Sequence, residues 1–338
     1  DNIPFGNYTL SVTDQTYVPV KINLILTEKH ASGYTFDSFA INRKVSWLLD
    51  WGDSGDQEHY WSHLISKIII FFYFACLVLV LFYSVLQLSL AIAYVRNKRR
   101  KNRINGAVEN SPVYDPLVTP KVTVQLPMFN ELYVAERIIE TAAAFEYPTD
   151  KLQIQVLDDS TDETKDVIAK IVAEVSSRGI NIQHIHREDR TGYKAGALDD
   201  AMDRVEGDFI AIFDADFIPD KDFLKKTMPH FSNDKVGVVQ TRWGHINKKY
   251  SLLTELQAFG LNGHFAIEQG GRNASGHFIN FNGTGGVWRK ECINDAGGWE
   301  HDTLTEDLDL SYRAQLKGWK FTYLEDVIAP AELPITMS

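Results

Sequence analysis

The sequence predicts an α/β domain with a mainly parallel sheet, preceded by one transmembrane helix and a small β-rich segment. Three observations carry this. From Lys121 onward, apolar strand-like runs alternate with helical stretches, the pattern of a sheet covered by helices on both faces. Ile68 to Val95 is a run of 28 residues without a formal charge. Phe209 to Phe213 reads as a strand buried on both faces that empties into Asp214 and Asp216, at the carboxyl end where open α/β sheets place their ligands.

Residues 1–62 form the first block, with strand-like runs at Tyr17 to Leu26 and Phe36 to Trp47 between turn-forming clusters such as Ala31-Ser32-Gly33. Asp50 to Asp56 imitates a calcium loop but lacks the spaced glutamate of an EF-hand, so it reads as an acidic surface loop. The second block, 63–96, holds the apolar run. At about 1.5 Å per residue it exceeds the roughly 30 Å of a bilayer's hydrocarbon core and should span it. Arg96, Lys98, Arg99, Arg100, Lys101 and Arg103 follow, whereas Asp50, Asp53, Asp56 and Glu58 precede it against Lys67. The positive-inside rule then puts residues after 96 in the cytosol and residues 1–62 outside, at the plasma (inner) membrane. Residues 97–120 read as a basic juxtamembrane linker, its later part carrying Pro, Gly and Asn. The start at Asp1, with no initiator methionine or signal peptide, suggests a processed or truncated product.

In the domain from 121 to 338, the first strand is Val122 to Leu126, ending at Pro127-Met128-Phe129-Asn130-Glu131 before a helix to about Phe145. The second, Leu152 to Leu157, ends at Asp158-Asp159-Ser160, where Ser160-x-x-Glu163 has capping-box spacing and opens a helix to about Arg178. Ile180 to His186 is the third, leading into a basic, glycine-punctuated turn through Arg190, Gly192, Lys194 and Gly196. The fourth delivers Asp214 and Asp216. On extended backbone these two carboxylates point the same way, so together they can hold a hard divalent cation and, through it, a diphosphate. Ser251 to Gly270 reads as an amphipathic helix, for a membrane surface or for ordinary core packing. His184, His186, His245 and His264 carry no recognisable metal-ligand spacing.

Composition narrows the function. A net charge of −11 disfavours bulk nucleic-acid binding, and two cysteines, Cys76 and Cys292, exclude a disulfide framework. No Gly-x-Gly-x-x-Gly follows the first strand, and no Gly-x-x-x-x-Gly-Lys-Ser/Thr occurs, which weakens a dinucleotide dehydrogenase or a P-loop kinase. A diphosphate would be held instead by metal and by Lys or Arg side chains, which suits a nucleotide-sugar.

Pro127-Met-Phe-Asn-Glu131, Asp158-Asp-Ser160, Arg190-Thr-Gly-Tyr-Lys-Ala-Gly196, Asp214-Ala-Asp216, Phe281-Asn-Gly-Thr-Gly285 and Thr305-Glu-Asp307 occur in the order seen in processive family 2 glycosyltransferases. The stretch from Lys121 to Ser338 resembles the cytosolic domain of the cellulose synthase superfamily, and within it the mannan and glucan synthase-like branch. The family's Gln-x-x-Arg-Trp helix and following membrane spans are expected soon after Pro334, in a native sequence that continues past Ser338.

The resemblance implies a GT-A type nucleotide-sugar-binding domain. Pro127, Glu131 and Asp159 would bracket base and ribose, with Arg190, Lys194 and Asp214 completing the donor site around the diphosphate; Asp158 belongs to this set or is structural. Asp214 and Asp216 would hold Mg²⁺ or Mn²⁺. Asp307, with Glu306 beside it, would be the catalytic base. Gly283, Thr284 and Gly285 would let the acceptor sugar approach the backbone while Trp299 stacks on it; the alternative is that Phe281 to Trp288 is only a strand with a glycine bulge. The implied activity is inverting hexose transfer from UDP-glucose or GDP-mannose to a growing β-linked polysaccharide. Single-sugar transfer to a polyprenyl phosphate or lipid and a non-catalytic membrane receptor are the alternatives. Nucleotide-sugar, polysaccharide acceptor and membrane lipids are the expected partners.

Overall fold

The computed structural model describes residues 6–12, 20–26, 57–104 and 119–336; the strand expected over Phe36 to Trp47 lies outside the described residues. The chain divides into two compact units, Asp1–Leu79 and Val80–Ser338. In the first, β1 (Gly6–Val12) pairs antiparallel with β2 (Val20–Leu26), Leu10 opposite Ile22. β2 falls within the expected run. β1 was not anticipated, although Tyr8, Leu10 and Val12 alternate as a half-buried strand does.

The boundary between the units falls inside α1 (Gln57–Ile104), a helix of 48 residues. Its segment Leu64–Arg100 is long and apolar enough to cross a membrane by length and composition. The basic run at 96–103 continues this helix instead of opening a linker, because Lys and Arg are good helix formers and no glycine or proline intervenes before Gly106.

The second unit is built on a seven-stranded sheet in the order β5-β4-β3-β6-β8-β7-β9. Its strands are β3 (Val122–Met128), β4 (Leu152–Asp158), β5 (Asn181–His186), β6 (Phe209–Ile212), β7 (Val236–His245), β8 (Gly286–Arg289) and β9 (Lys320–Ala331). β5, β4, β3 and β6 run parallel, as expected. β8 then runs antiparallel to both β6 and β7, and β9 is parallel to β7, so the sheet is mixed.

Along β6 the side chains alternate between two cores. Phe209 and Ala211 join Val124, Leu126 and Phe223 on one face, while Ile210 and Ile212 join Val238, Trp288 and Leu310 on the other. A strand covered on both faces has no room for polar alternation, hence its continuous apolar run. The helices α2 (Ala135–Ala143), α3 (Thr164–Ser177), α4 (Tyr193–Ala201), α5 (Phe223–Thr227), α8 (Lys290–Asp295) and α9 (Glu306–Leu316) interleave with the strands.

Two local expectations change. The capping box at Ser160 does not form: α3 starts at Thr164, whose N–H donates to Asp162 Oδ1 at 2.9 Å, and Ser160 Oγ accepts the Asn130 N–H at 2.9 Å instead. The stretch from Ser251 to Gly270 is not one helix. α6 (Leu252–Gly263), capped by Ser251 and Thr254, passes through a π-helical turn (His264–Gln269) into α7 (Gly270–Ser275). Leu252, Leu256 and Phe259 stay exposed on α6, whereas Phe265 is buried.

Candidate active site

A cavity of about 360 Å³ opens at the carboxyl ends of β3, β4 and β6. Pro127, Glu131, Asp159, Arg190, Lys194, Asp214 and Asp216 all line it, together with Phe129 and Ala215. A larger depression of about 680 Å³ lies around Asp208, Arg289 and Asp295, at the opposite end of β6. Strand polarity favours the smaller one, because ligands of such sheets bind beyond the carboxyl ends of the strands.

The two loops that carry the cavity are sewn together. Ser160 N–H donates to Asp158 Oδ1 at 2.9 Å, Ser160 Oγ accepts from Asn130, and Asn130 Oδ1 accepts the Thr161 N–H at 2.9 Å. Asn130 is held in the left-handed region, φ 56°, which an asparagine tolerates better than most residues. This presents Glu131 to the cavity. Burial, then the charge of Asp214, pushes the Glu131 carboxyl up.

Asp159 is buried and gripped by Arg187 in a bidentate pair, Nε to Oδ1 at 2.8 Å and Nη2 to Oδ2 at 2.7 Å. Arg187 also donates to the Tyr193 carbonyl at 3.0 Å, which ties β4 to the start of α4. Arg190 lays its guanidinium 3.3 Å from the Phe129 ring centroid and 5.0 Å from that of Tyr193. Sequence reasoning missed Arg187 and Phe129. Their types and positions were visible, but not the carboxylate and cation they meet.

Asp158 does not belong to the cavity. It is fully buried, with Oδ2 contacted by His184 Nε2 at 2.8 Å and His186 Nδ1 at 3.1 Å. Burial pushes its carboxyl up, but hydrogen bonds from His184 and Ser160 outweigh this and hold it below the usual range. The donor-site expectation for Asp158 gives way to its structural alternative. The three side chains also offer ligand atoms within 4.8 Å of one another, so the cluster could take a metal ion, contrary to the histidine-spacing expectation.

Lys194 Nζ bridges Asp214 Oδ1, in a short ion pair, and the Gly283 carbonyl at 3.0 Å. Asp216 has no ion-pair partner among the described residues. Burial first, then the Asp214 charge, raises its carboxyl to about 6, and Lys194 offsets only part of this push. A half-buried carboxylate without an ion-pair partner among the described residues, beside a second carboxylate, fits a hard divalent cation, whose charge would reverse that push.

Asp307 lies in the first turn of α9, where its Oδ1 accepts the Leu308 N–H at 2.8 Å and its carbonyl accepts from Ser311 Oγ at 2.6 Å. Thr305 makes no side-chain cap bond. Burial pushes the Asp307 carboxyl up and the Glu306 charge adds to it, while Leu308 N–H and Lys194 pull it down. Gly283 faces this residue: with φ +75°, a Cβ placed there would stand 3.3 Å from Asp307 Oδ2 and 3.7 Å from Lys194 Nζ. Lys194 therefore joins the Asp214 end of the site to the Asp307 end.

The remaining expected acceptor residues do other work. Thr284 is buried, and its hydroxyl accepts the Asp214 N–H at 2.9 Å. Gly285 N–H donates to the Ile212 carbonyl at 2.9 Å, and its own carbonyl accepts from Thr241 Oγ1 at 2.6 Å. Buried Gln240 pins the loop from beneath, donating to the Thr284 and Gly285 carbonyls at 3.1 Å and accepting the Asn282 N–H at 3.0 Å. Trp299 is 4 % exposed and packs edge-on against Trp288, ring centroids 5.7 Å apart. No face is left for a sugar, so stacking by Trp299 is corrected to core packing.

A family profile described as glycosyltransferase-like family 2 matches residues 120–337. The chain is 47% identical over 222 residues to a protein of Oryza sativa subsp. japonica named probable glucomannan 4-beta-mannosyltransferase 4, covering 64% of this chain and 40% of that one. It is 39% identical over 289 residues to glucomannan 4-beta-mannosyltransferase 7 of Arabidopsis thaliana, covering 81% and 52%. The chain thus spans about half the length, or less, of these curated relatives. Among solved structures it is similar to the mannosyltransferase PcManGT from Pyrobaculum calidifontis, described in complex with GDP-Man and Mn²⁺. The TM-score is 0.56 at 23% identity, over 73% of this chain and 65% of that one.

Proposed function

The chain belongs to glycosyltransferase-like family 2, and we propose that it transfers a hexose, mannose before glucose, from a nucleotide-sugar to a β-linked polysaccharide at a membrane. The observation that carries this reading is Lys194, which joins Asp214 on the donor side to the carbonyl of Gly283, the glycine that faces Asp307, on the acceptor side. Mannose is preferred because the similar plant proteins are named mannosyltransferases.

Arg190 on Phe129, the Arg187-locked Asp159 and Glu131 form the wall that would receive base and ribose. Lys194 would exchange Asp214 for diphosphate oxygens. Asp214 and Asp216 would hold a Mg²⁺ or Mn²⁺ ion, which when bound supplies positive charge to the departing diphosphate. Asp307 Oδ2 would take the proton of the acceptor hydroxyl; the oxygen bonds to C1 of the sugar as the C1–diphosphate bond breaks on the opposite face, inverting the anomeric centre. A raised pKa suits this base, because a carboxylate pushed up by burial binds the proton more strongly.

The long apolar segment of α1, followed by basic residues, supports a span that leaves residues after 96 in the cytosol and residues 1–62 outside. Membranes containing the chain, extended to the length of its relatives, should incorporate radiolabel from GDP-mannose in preference to UDP-glucose. Equal incorporation from both donors, or from neither, would reject the mannose assignment.

A further inference from the structure

We propose that His264 is a positioning residue for the loop of Asn282, Gly283 and Thr284, and that α1 holds His264 in place through Glu268. The function of this device rests on the reading of Gly283 as acceptor-facing; the hydrogen bonds themselves do not.

Asn282 precedes the glycine that faces Asp307, and its side chain is held from one side by a π-helical turn. His264 Nε2 lies 3.2 Å from Asn282 Oδ1 and Gln269 Nε2 lies 3.1 Å from the same oxygen. An α-helix turns residues five apart away from each other, whereas a π turn brings them nearer to one face; such turns collect at functional sites. The orientation of Gln269 is fixed by Asn280, whose N–H it accepts at 3.3 Å and whose carbonyl it donates to at 2.9 Å. Asn282 therefore presents oxygen to both neighbours, and His264 donates from Nε2. His264 Nδ1 lies 2.7 Å from the Glu268 carboxylate. The ring is thus gripped at both nitrogens, between the Asn282 side-chain oxygen and the Glu268 carboxylate.

The other oxygen of Glu268 accepts from Gln87 Nε2 at 3.1 Å, on α1. Gln87 lies within the 28-residue uncharged run. About 20 apolar residues cross a hydrocarbon core, so a span entered at Ile68 emerges near Gln87, where an amide can meet a carboxylate outside the lipid. Beyond it α1 is fastened twice more. A Cβ on Gly271 would come within 2.6 Å of the Leu90 carbonyl oxygen, so α7 packs backbone-close on α1, and Tyr94 Oη donates to Glu325 on β9 at 2.6 Å. Glu268 thus receives a side chain from a helix already fixed in position, and His264 inherits that fixity.

The test is hydrogen–deuterium exchange on the full chain in lipid nanodiscs, comparing wild type, Gln87→Leu and His264→Ala. Gln87→Leu leaves every residue of the catalytic domain intact, so it reports even if His264→Ala folds poorly. Both variants should exchange about five- to tenfold faster across 279–286, the worth of roughly one hydrogen bond, with β3 and β4 unchanged. In the extended, active protein the same variants should raise the acceptor KM and leave GDP binding alone. Wild-type exchange at 279–286 in both variants would overturn the proposal. Faster exchange with His264→Ala alone would overturn the part given to α1. Faster exchange in both, from a wild type that transfers no sugar, would uphold the positioning and reject the acceptor reading.

Discussion

Asp216→Asn should stabilise the cation-free protein. The folded-state carboxyl is raised from 3.8 to about 6, chiefly by burial and then by Asp214. Raised in the folded state, this group contributes stability that is complete below about pH 4 and is lost as pH rises through 6. At pH 7.5 the ionised form therefore costs the apo protein at most about 3 kcal/mol, at 1.36 kcal/mol per unit; partial solvent screening lowers this to about 1–2 kcal/mol. The amide has the same shape without the charge, so its melting temperature at pH 7.5 in EDTA should be about 2–8 °C higher. The gap should narrow by roughly half at pH 5 and close below about pH 4. Mn²⁺ should raise the wild-type melting temperature and leave the variant nearly unchanged. Differential scanning fluorimetry across this pH range, with and without Mn²⁺, reads all of these effects. A variant no more stable than wild type at pH 7.5, or one that responds to Mn²⁺ as wild type does, would refute the assignment of Asp216 as a cation ligand under charge strain.

Asp307→Asn keeps shape and removes the proton acceptor, so transfer should fall by roughly 10²- to 10⁴-fold with nucleotide binding retained by calorimetry. Because burial raises Asp307, the acid limb of wild-type kcat should lie above the ordinary aspartate range; a limb at or below it would remove Asp307 from the role. Trp299→Ala should destabilise by about 3–5 kcal/mol, as large core truncations do, and an unchanged melting temperature with weakened saccharide binding would restore the stacking role denied to it here. Protease added outside spheroplasts should remove residues 1–62 and spare the domain from Lys121, whereas outside cleavage near Asp189 would invert the topology.

The four strands from Val122 to Phe213 were legible because each is a short apolar run with its own turn chemistry at both ends. β8 was legible only in part: a strand over Phe281 to Trp288 was one of two readings, and its antiparallel placement between β6 and β7 is decided by partners far away in sequence. The site divides in the same way. Asp214, Asp216, Lys194 and Asp307 announce themselves as charged groups at element ends. Gln240 reads as an ordinary polar residue in a strand, and only the folded chain reveals that it pins two carbonyls of the glycine loop. Trp299, beside two glycines, looks like an exposed platform until Trp288 from another strand closes over it. His184 and His186 do share one face by their spacing of two, but the Asp158 they meet belongs to the neighbouring strand, which no local pattern identifies.

The reversal of β8 also sets what length changes this protein can tolerate. Ile212 is paired with Gly286, so the last rung of β6 before Asp214 is the first rung of β8 after Gly285. A single inserted or deleted residue in either strand would slide this ladder by about 3.4 Å and turn every side chain to the wrong core. The spacing between the two carboxylates and the glycine loop is thus inherited from a ladder count, with no adjustable segment in between. Length variation among relatives should accumulate in the turn between β7 and α6 or around Asp302, and be missing from 209–216 and 281–289.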